Sequence, residues 1–411
     1  MSKTINVLPS LSLVAHPDLT ARTYPPGRQV YVGRVDSLQN AVASALPGDE
    51  IIIDGPRTYN LTNTLVVNQP DVTIRGISPN AGDIILRGAG MDEVNYGGAP
   101  YGIYSAQPGL AVKNLTIQDF YHHAITFAAG AERPIFENVH MLDIGTQFVK
   151  ISAFPYAINK GRMSRCRIGY TAGRPTTNHG SGFFYGGGLD LHNSYGWEIQ
   201  DSVFFELSPT AEEEAATAGQ PRHLWSPAIL IWNRSRDNIT ERCLFINCAR
   251  AVSYGLMDRY NSPDAAHDNL RGIVRNNMAI MQPGRLGSYQ ISQSDGMFLG
   301  WDSPDTQFLH NTIVTNSQVA DAIQGRWSQN LVIHGNLCTD TVRMRDSATF
   351  TGVNQLTAQN TWFQDTTTGN LRLSSLGIAQ AQTQARNPNC LTDFDSVLRD
   401  VITRMGASVN G

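Results

Sequence analysis

In the stretch GGGLDLHNSYGWEIQDSVFF (186–205), Asp190 and His192 stand two residues apart on what reads as a β-strand. Alternate strand residues share a face, so the two side chains project together. Such a pair suits general acid–base work, because imidazole titrates near neutrality and a neighbouring carboxylate can fix its tautomer. The same alternation is also compatible with both side chains pointing into a core. Tyr185 and Tyr195 bracket the pair and offer phenolic acids. Lys150, in GTQFVKISAF, is a rare lysine in a strand region. Burial there would turn it towards base duty, whereas an edge position would leave it a plain cation. Arg236, Arg259 and Arg326 suit a substrate carboxylate and a developing negative charge, or else form ordinary salt bridges. Asp295, Asp302 and Asp305 make an alternative carboxylate cluster, and two of them facing each other across a groove would favour glycoside hydrolysis.

These residues must be positioned by something regular, and a repeat supplies it. A hexapeptide of the form apolar-x-x-X-x-apolar recurs as VTIRGI (72–77), VKNLTI, FENVHM, MSRCRI, IQDSVF, TERCLF, VRNNMA, FLHNTI and IHGNLC (333–338). Its X positions are Arg75, Leu115, Val139, Cys166, Ser202, Cys243, Asn277, Asn311 and Asn336. Three asparagines in succession predict an amide ladder at a buried turn, as in a parallel β-helix whose equivalent side chains stack in columns. The spacings between X positions run 40, 24, 27, 36, 41, 34, 34 and 25. The short ones are bare coils. The long ones imply insertions near 171–188, 208–226, 256–270 and 282–294, emerging on one face and rich in His, Tyr, Arg, Trp and Gly.

Aligning the coils on X brings out a column ten or eleven residues earlier: His192, Trp232, Trp301 and Arg326, with Asn193, Asn233, Asp302 and Trp327 beside them. An aromatic platform flanked by polar groups suits a sugar, whose C–H faces pack on rings while its hydroxyls take directed hydrogen bonds. An ordinary aromatic stack under a loop is the alternative. The acidic run AEEEAA (211–216) reads as a solvated helical insert.

The predicted architecture is all-β: one right-handed parallel β-helix over 49–365, preceded by an extension (1–34) and a capping helix (35–48). A C-terminal capping segment follows (366–411), with TDFDSVLRDVITRMGAS read as helical. Bulk properties agree with a β-rich globular chain. Of 411 residues, 41% are hydrophobic and 16% charged, with 37 glycines and a net charge of −4, which gives no basic excess for nucleic acid. Four of the 31 basic residues are lysine and the rest arginine. Five cysteines without CxxC spacing give neither a zinc site nor a disulfide framework, no 18-residue apolar run spans a membrane, and no signal-peptide core is visible at the N-terminus.

LQNAVASALPGDEIIIDGPRTYNL resembles the opening of right-handed parallel β-helix proteins of the pectate-lyase-like superfamily, which includes polysaccharide lyases and uronan epimerases. The middle of the chain, from GLDLHNSYGWEIQDSVFFE to DGMFLGWDSPDTQFLHNTIV, is similar to a bacterial group of β-helix repeat proteins. The polygalacturonase Gly-His-Gly and Asn-Thr-Asp and the epimerase Asp-Pro-His are absent, so no family's catalytic set carries over. The resemblance implies a polysaccharide-active enzyme that cleaves a uronic-acid glycan by β-elimination. His192 or Lys150 would be the base, oriented by Asp190; an Arg such as Arg236 would neutralise the carboxylate, and Tyr185 or the same His would be the acid. Trp232, Trp301, Asn193, Asn233, Asp302, Arg259, Arg326 and Tyr195 would bind substrate. A glycoside hydrolase or transglycosylase, or a non-catalytic tailspike-like or adhesin-like glycan binder, are the alternatives. No cofactor is expected. Calcium helps some relatives, but the scattered Asp residues form no coordination motif. The expected partner is a polysaccharide or oligosaccharide, the assembly a monomer or trimer, and the location secreted or periplasmic with a leader already removed.

Overall fold

The hexapeptides are corners. In the computed structural model, which describes residues 27–151, 157–180, 182–220, 227–256 and 266–409, the residue before X takes left-handed backbone in coil after coil. Asn114, Asn138, Arg165, Asp201, Arg242, Asn276 and His310 all lie at φ between 50° and 54°. Asn and Asp tolerate this region better than most residues. Each corner folds one strand region into two arms, as in Ile135–Leu142, and the arms of successive coils stack in parallel into a 20-stranded sheet. VTIRGI is the exception. The residue before its X is Ile74, and a β-branched side chain disfavours left-handed backbone. That segment stays straight as Thr73–Gly76, and Arg75 pairs with Lys113 instead of joining Leu115.

The third face of each coil contributes one strand to a ten-stranded, all-parallel sheet running from Leu65–Val67 to Val342–Arg345. Sheet and arms enclose one continuous core, in which Phe204 and Phe245 stack at 5.2 Å. All five cysteines are buried and unpaired in this fold.

The asparagine ladder runs as the repeat predicts. Asn311 Oδ1 accepts from both the backbone N–H and the Nδ2 of Asn277, each at 3.0 Å. Asn336 Oδ1 receives the same two bonds from Asn311 at 2.9 Å, and Asn354, outside the nine hexapeptides, continues the pattern. Above it, Asn277 caps the N–H of Cys243, and Ser202 does so for Cys166. Each rung satisfies buried donors that the corner takes out of the sheet ladder.

At the N-terminal end, helix Val35–Ala43 buries Leu38 and Val42 against the core, and strand Gln29–Val32 pairs with Glu50–Ile53. At the other end the chain folds back. Trp362, Phe363, Leu371, Leu373, Phe394 and Met405 form a second apolar cluster with the outward residues of Val203–Phe205, Leu244–Ile246, Met278–Ile280 and Thr312–Val314. Residues 392–408 hold no helix but a strand, Ile402–Arg404, paired with Thr383–Ala385. Arg399, fully buried, explains this: its guanidinium donates to the Ala407 carbonyl, the Gly406 carbonyl and Asn276 Oδ1, which demands an irregular loop around it.

Asn311→Ala removes one rung and leaves the N–H of Asn277 unsatisfied in the core. The expected cost is about 3 kcal/mol, in the range for a buried unsatisfied donor plus a lost amide. A guanidinium-denaturation series comparing it with an exposed control such as Asn389→Ala checks this, and equal midpoints would refute it.

Candidate functional site

Every position of the ten-stranded sheet is fixed by its neighbours' register, and this assembles the sequence's acid–base candidates. Thr126, Lys150, Asp190 and Leu230 are successive register partners, and two residues on, His192 pairs with Trp232. Neighbouring parallel strands lie about 4.8 Å apart, so these outward side chains touch.

Asp190 is the hub. Its Oδ2 holds the Lys150 ammonium, while its Oδ1 accepts from the Trp232 indole N–H at 2.8 Å and lies 3.1 Å from His192 Nε2. Lys150 Nζ is also 3.1 Å from His192 Nε2. On the far side of the ring, Asn233 Nδ2 sits 3.0 Å from His192 Nδ1. The imidazole also packs on the Trp232 indole, centroids 4.7 Å apart. Asp190 is 7% exposed, against 16% for Lys150 and 15% for His192, so the carboxylate is the floor and the two nitrogen groups reach the surface. Burial alone would raise the Asp190 carboxyl, but the Lys150 ammonium and the His192 hydrogen bond hold it well below the usual carboxylate range. The site is therefore an ionised carboxylate fixing one cation and one imidazole side by side.

Asn193 and Asn233 adopt left-handed backbone at φ 45° and 61°, turning the chain off the sheet. Asn233 combines this corner role with its contact to His192. Tyr195 and Arg236 come after that corner, outside the ten-stranded sheet, and pair with each other, the Arg236 guanidinium 5.0 Å over the Tyr195 ring. Tyr185 is partly buried in the first insertion. Asp302 is a buried corner residue whose Oδ2 accepts the Asp268 N–H. Asp295 pairs with Arg250, and Asp305 is exposed. Trp301 and Arg326 do share the column, as register partners, but Gly255 occupies the place between Trp232 and Trp301. There φ is +83°, and a Cβ would fall 1.8 Å from the Trp301 carbonyl oxygen, so only glycine fits. Arg259 lies outside the described residues.

Insertions 171–188, 208–226 and 282–294 precede in sequence the sheet strands Leu189–His192, Ile229–Trp232 and Gly296–Trp301, on the edge where those strands begin, whereas 256–270 follows Val252–Tyr254 in sequence and is described only at 256 and 266–270. Along the first edge the three are stitched by carboxylates. Asp92, from a loop within the 40-residue first spacing, accepts the N–H and hydroxyl of both Thr176 and Thr177. Glu213 accepts from the Arg174 N–H, and Glu214 from the Tyr289 and Gln290 N–H groups. The AEEEAA run is indeed a helix, Ala211–Ala216, but Glu214 is buried instead of solvated.

A second cluster escaped the sequence reading. Tyr101 stacks on His123 at 5.5 Å and 9°, and Tyr121 packs on His179 at 4.2 Å and on His122 at 4.9 Å. His123 Nδ1 is 2.7 Å from the Gln147 carbonyl. Its signal was FYHHAI, a histidine pair of which the second opens strand His123–Phe127, on a coil without an insertion. Burial lowers both His123 and His179 to about 4. Among the described residues, no group of three or more His, Cys, Asp or Glu is placed to hold a metal ion, and no helix is long and apolar enough to cross a membrane.

No protein-family model and no curated protein matches the chain. Among solved structures it is similar to pectate lyase Pel9A, at 13% identity and TM-score 0.45 over 95% of this chain and 98% of that one. A rhamnogalacturonan lyase aligns at 12% and 0.42 over 91% and 95%. The GH136 lacto-N-biosidase from Eubacterium ramulus aligns at 10% and 0.45 over 80% and 68%. These likenesses are distant, and the chemistry rests on this chain's own side chains.

Histidines held neutral by burial make stability pH-dependent. Between about 6.5, the unfolded value, and 4, the folded one, the unfolded chain binds more protons, so stability falls as pH drops through that window. We expect the melting temperature to decline from pH 7 to pH 4.5, and His123→Asn with His179→Gln to lessen the decline, the remainder belonging to His140 and His310, which burial also lowers. A double variant as pH-sensitive as the parent would contradict this assignment.

Proposed function

We propose that the protein is a polysaccharide-active enzyme that cleaves a uronic-acid-containing glycan by β-elimination at Lys150, Asp190 and His192. The observation that carries the reading is the Asp190-centred network, which presents an ammonium and an imidazole 3.1 Å apart on the outer face of the ten-stranded sheet, above a buried carboxylate. Lys150, fixed by Asp190, faces the substrate carboxylate and neutralises it, so that electron density can accumulate on the adjacent carbon. This is the duty the sequence suggested for an arginine. His192 removes the proton next to the carboxylate. The electron pair forms the carbon–carbon double bond and expels the glycosidic oxygen, to which His192 returns the proton. Asp190 orients both groups, Asn233 sets the ring, and Trp232 offers an aromatic surface to the sugar. One carboxylate at the network, where hydrolysis would use two, also favours elimination.

The test is incubation with alginate, pectate and other uronans, following ultraviolet absorbance of the conjugated product alongside reducing ends. A substrate of the wild type should be cut at least about 10²-fold more slowly by His192→Ala and Lys150→Ala, the scale of lost acid–base catalysis. Reducing ends without absorbance would select hydrolysis. Glycan binding without turnover, unchanged in His192→Ala, would select a binding module.

A further inference from the structure

The Lys150–Asp190–His192 network lies near the middle of the ten-stranded sheet, and a second group of cations lies towards its C-terminal end. Arg326 is in register with Trp301 on one side and Arg345 on the other. Its guanidinium carbon is 4.1 Å from the Trp301 ring centre and 4.8 Å from that of Trp327, whose indoles lie 5.9 Å apart at 25°. Nε donates to Asp346 at 2.7 Å, and among the described residues no hydrogen bond reaches the two terminal nitrogens. The guanidinium is thus held flat by two rings and one carboxylate, with its outer fork unused. Stacked arginine retains its capacity for bidentate carboxylate binding.

Arg345 repeats the charge one strand on. It is 45% exposed and only 3.8 Å from Asp295, whose other oxygen is taken by the buried Arg250. Like charges directly opposite on neighbouring strands are destabilising. Asp346 and Asp295 offset part of that repulsion, and because Arg250 also claims Asp295, among the described residues three arginines share two carboxylates and one positive charge is left for a bound anion. Trp327, 38% exposed, adds an accessible ring face beside the fork.

Four strand steps separate His192 from Arg326, roughly 19 Å at ~4.8 Å per step. Resting on the elimination reading for what happens at His192, we propose that Arg326 and Arg345, flanked by Trp301 and Trp327, form a distal carboxylate-binding subsite. The substrate is then a polyanionic glycan several sugars long, laid along the solenoid axis. Short oligomers reach the network but not the arginines.

Calorimetric titration of His192→Ala, which prevents turnover, with trimeric and octameric oligouronates and a neutral octameric xylo-oligomer tests this. We expect the acidic octamer to bind at least about tenfold tighter than the trimer, the scale of one charge-assisted pair. Adding Arg345→Gln or Trp327→Ala should erase that gap, and Arg345→Lys should restore part of it, as a merely structural role would not. Unchanged melting temperatures identify the folded variants. A gap that survives Arg345→Gln and Trp327→Ala, a neutral octamer that binds as tightly, or no binding of either oligouronate would overturn the subsite. If the octamer behaves as expected but wild type yields no conjugated product, the elimination reading fails and the subsite stands.

Discussion

Everything in this molecule depends on stacking each coil's backbone onto the next without a slip. A strand displaced by one residue would turn its inward side chains outward, so the register must be pinned at the corners. It is pinned there by left-handed residues before X and by amide and hydroxyl side chains that bond the coil below. Once the corners are fixed, columns follow on every face. The Lys150–Asp190–His192 network is formed by such columns on the outer face. Lys150 and Asp190 are neighbours because Val149 and Leu189 are paired inside.

Buried carboxylates organise the surface built on that frame. Asp190 is the most exacting of them. A buried anion is costly unless paired and hydrogen-bonded, and here an ammonium, an imidazole and an indole N–H together satisfy it. Three partners converging on one anion leave each little freedom. Lys150 and His192 are therefore presented in fixed relation before any ligand arrives, which is the state a proton-transfer site requires. Asp92, too, is held below the ordinary carboxylate range: burial opposes its charge, but the hydroxyl and N–H groups of Thr177 and Thr176 outweigh it.

The fold was legible because it is periodic. Nine hexapeptides and an asparagine run declare a stacked corner, and only VTIRGI misled, since apolar spacing matched where Ile74 could not bend. The acid–base candidates were partly legible for a related reason: alternation and coil alignment put Asp190, His192 and Trp232 on one face, whereas Lys150 stood out only as a rare lysine in a strand region and its register with Asp190 came from the fold. What sequence could not show were contacts between insertions, which obey no period. Glu213 and Glu214 looked like a solvated run because their partners, Arg174, Tyr289 and Gln290, lie in other loops. Nor could spacing tell that the corner at Asn193 and Asn233 carries Tyr195 and Arg236 away from the sheet, or that a single buried Arg399 would keep the apolar-rich tail from forming a helix.

The stitched edge has a consequence for how such a protein can change. Insertions on a repeat scaffold are usually pictured as interchangeable parts, each free to lengthen or shorten alone. Here Asp92 reads the backbone of the 171–188 loop, Glu213 returns to that same loop from the next, and Glu214 extends to the third. Exchanging any one of them strips a carboxylate or its donors from a neighbour. The three loops are therefore structurally coupled, and a change of length in one reaches its neighbours through these carboxylates.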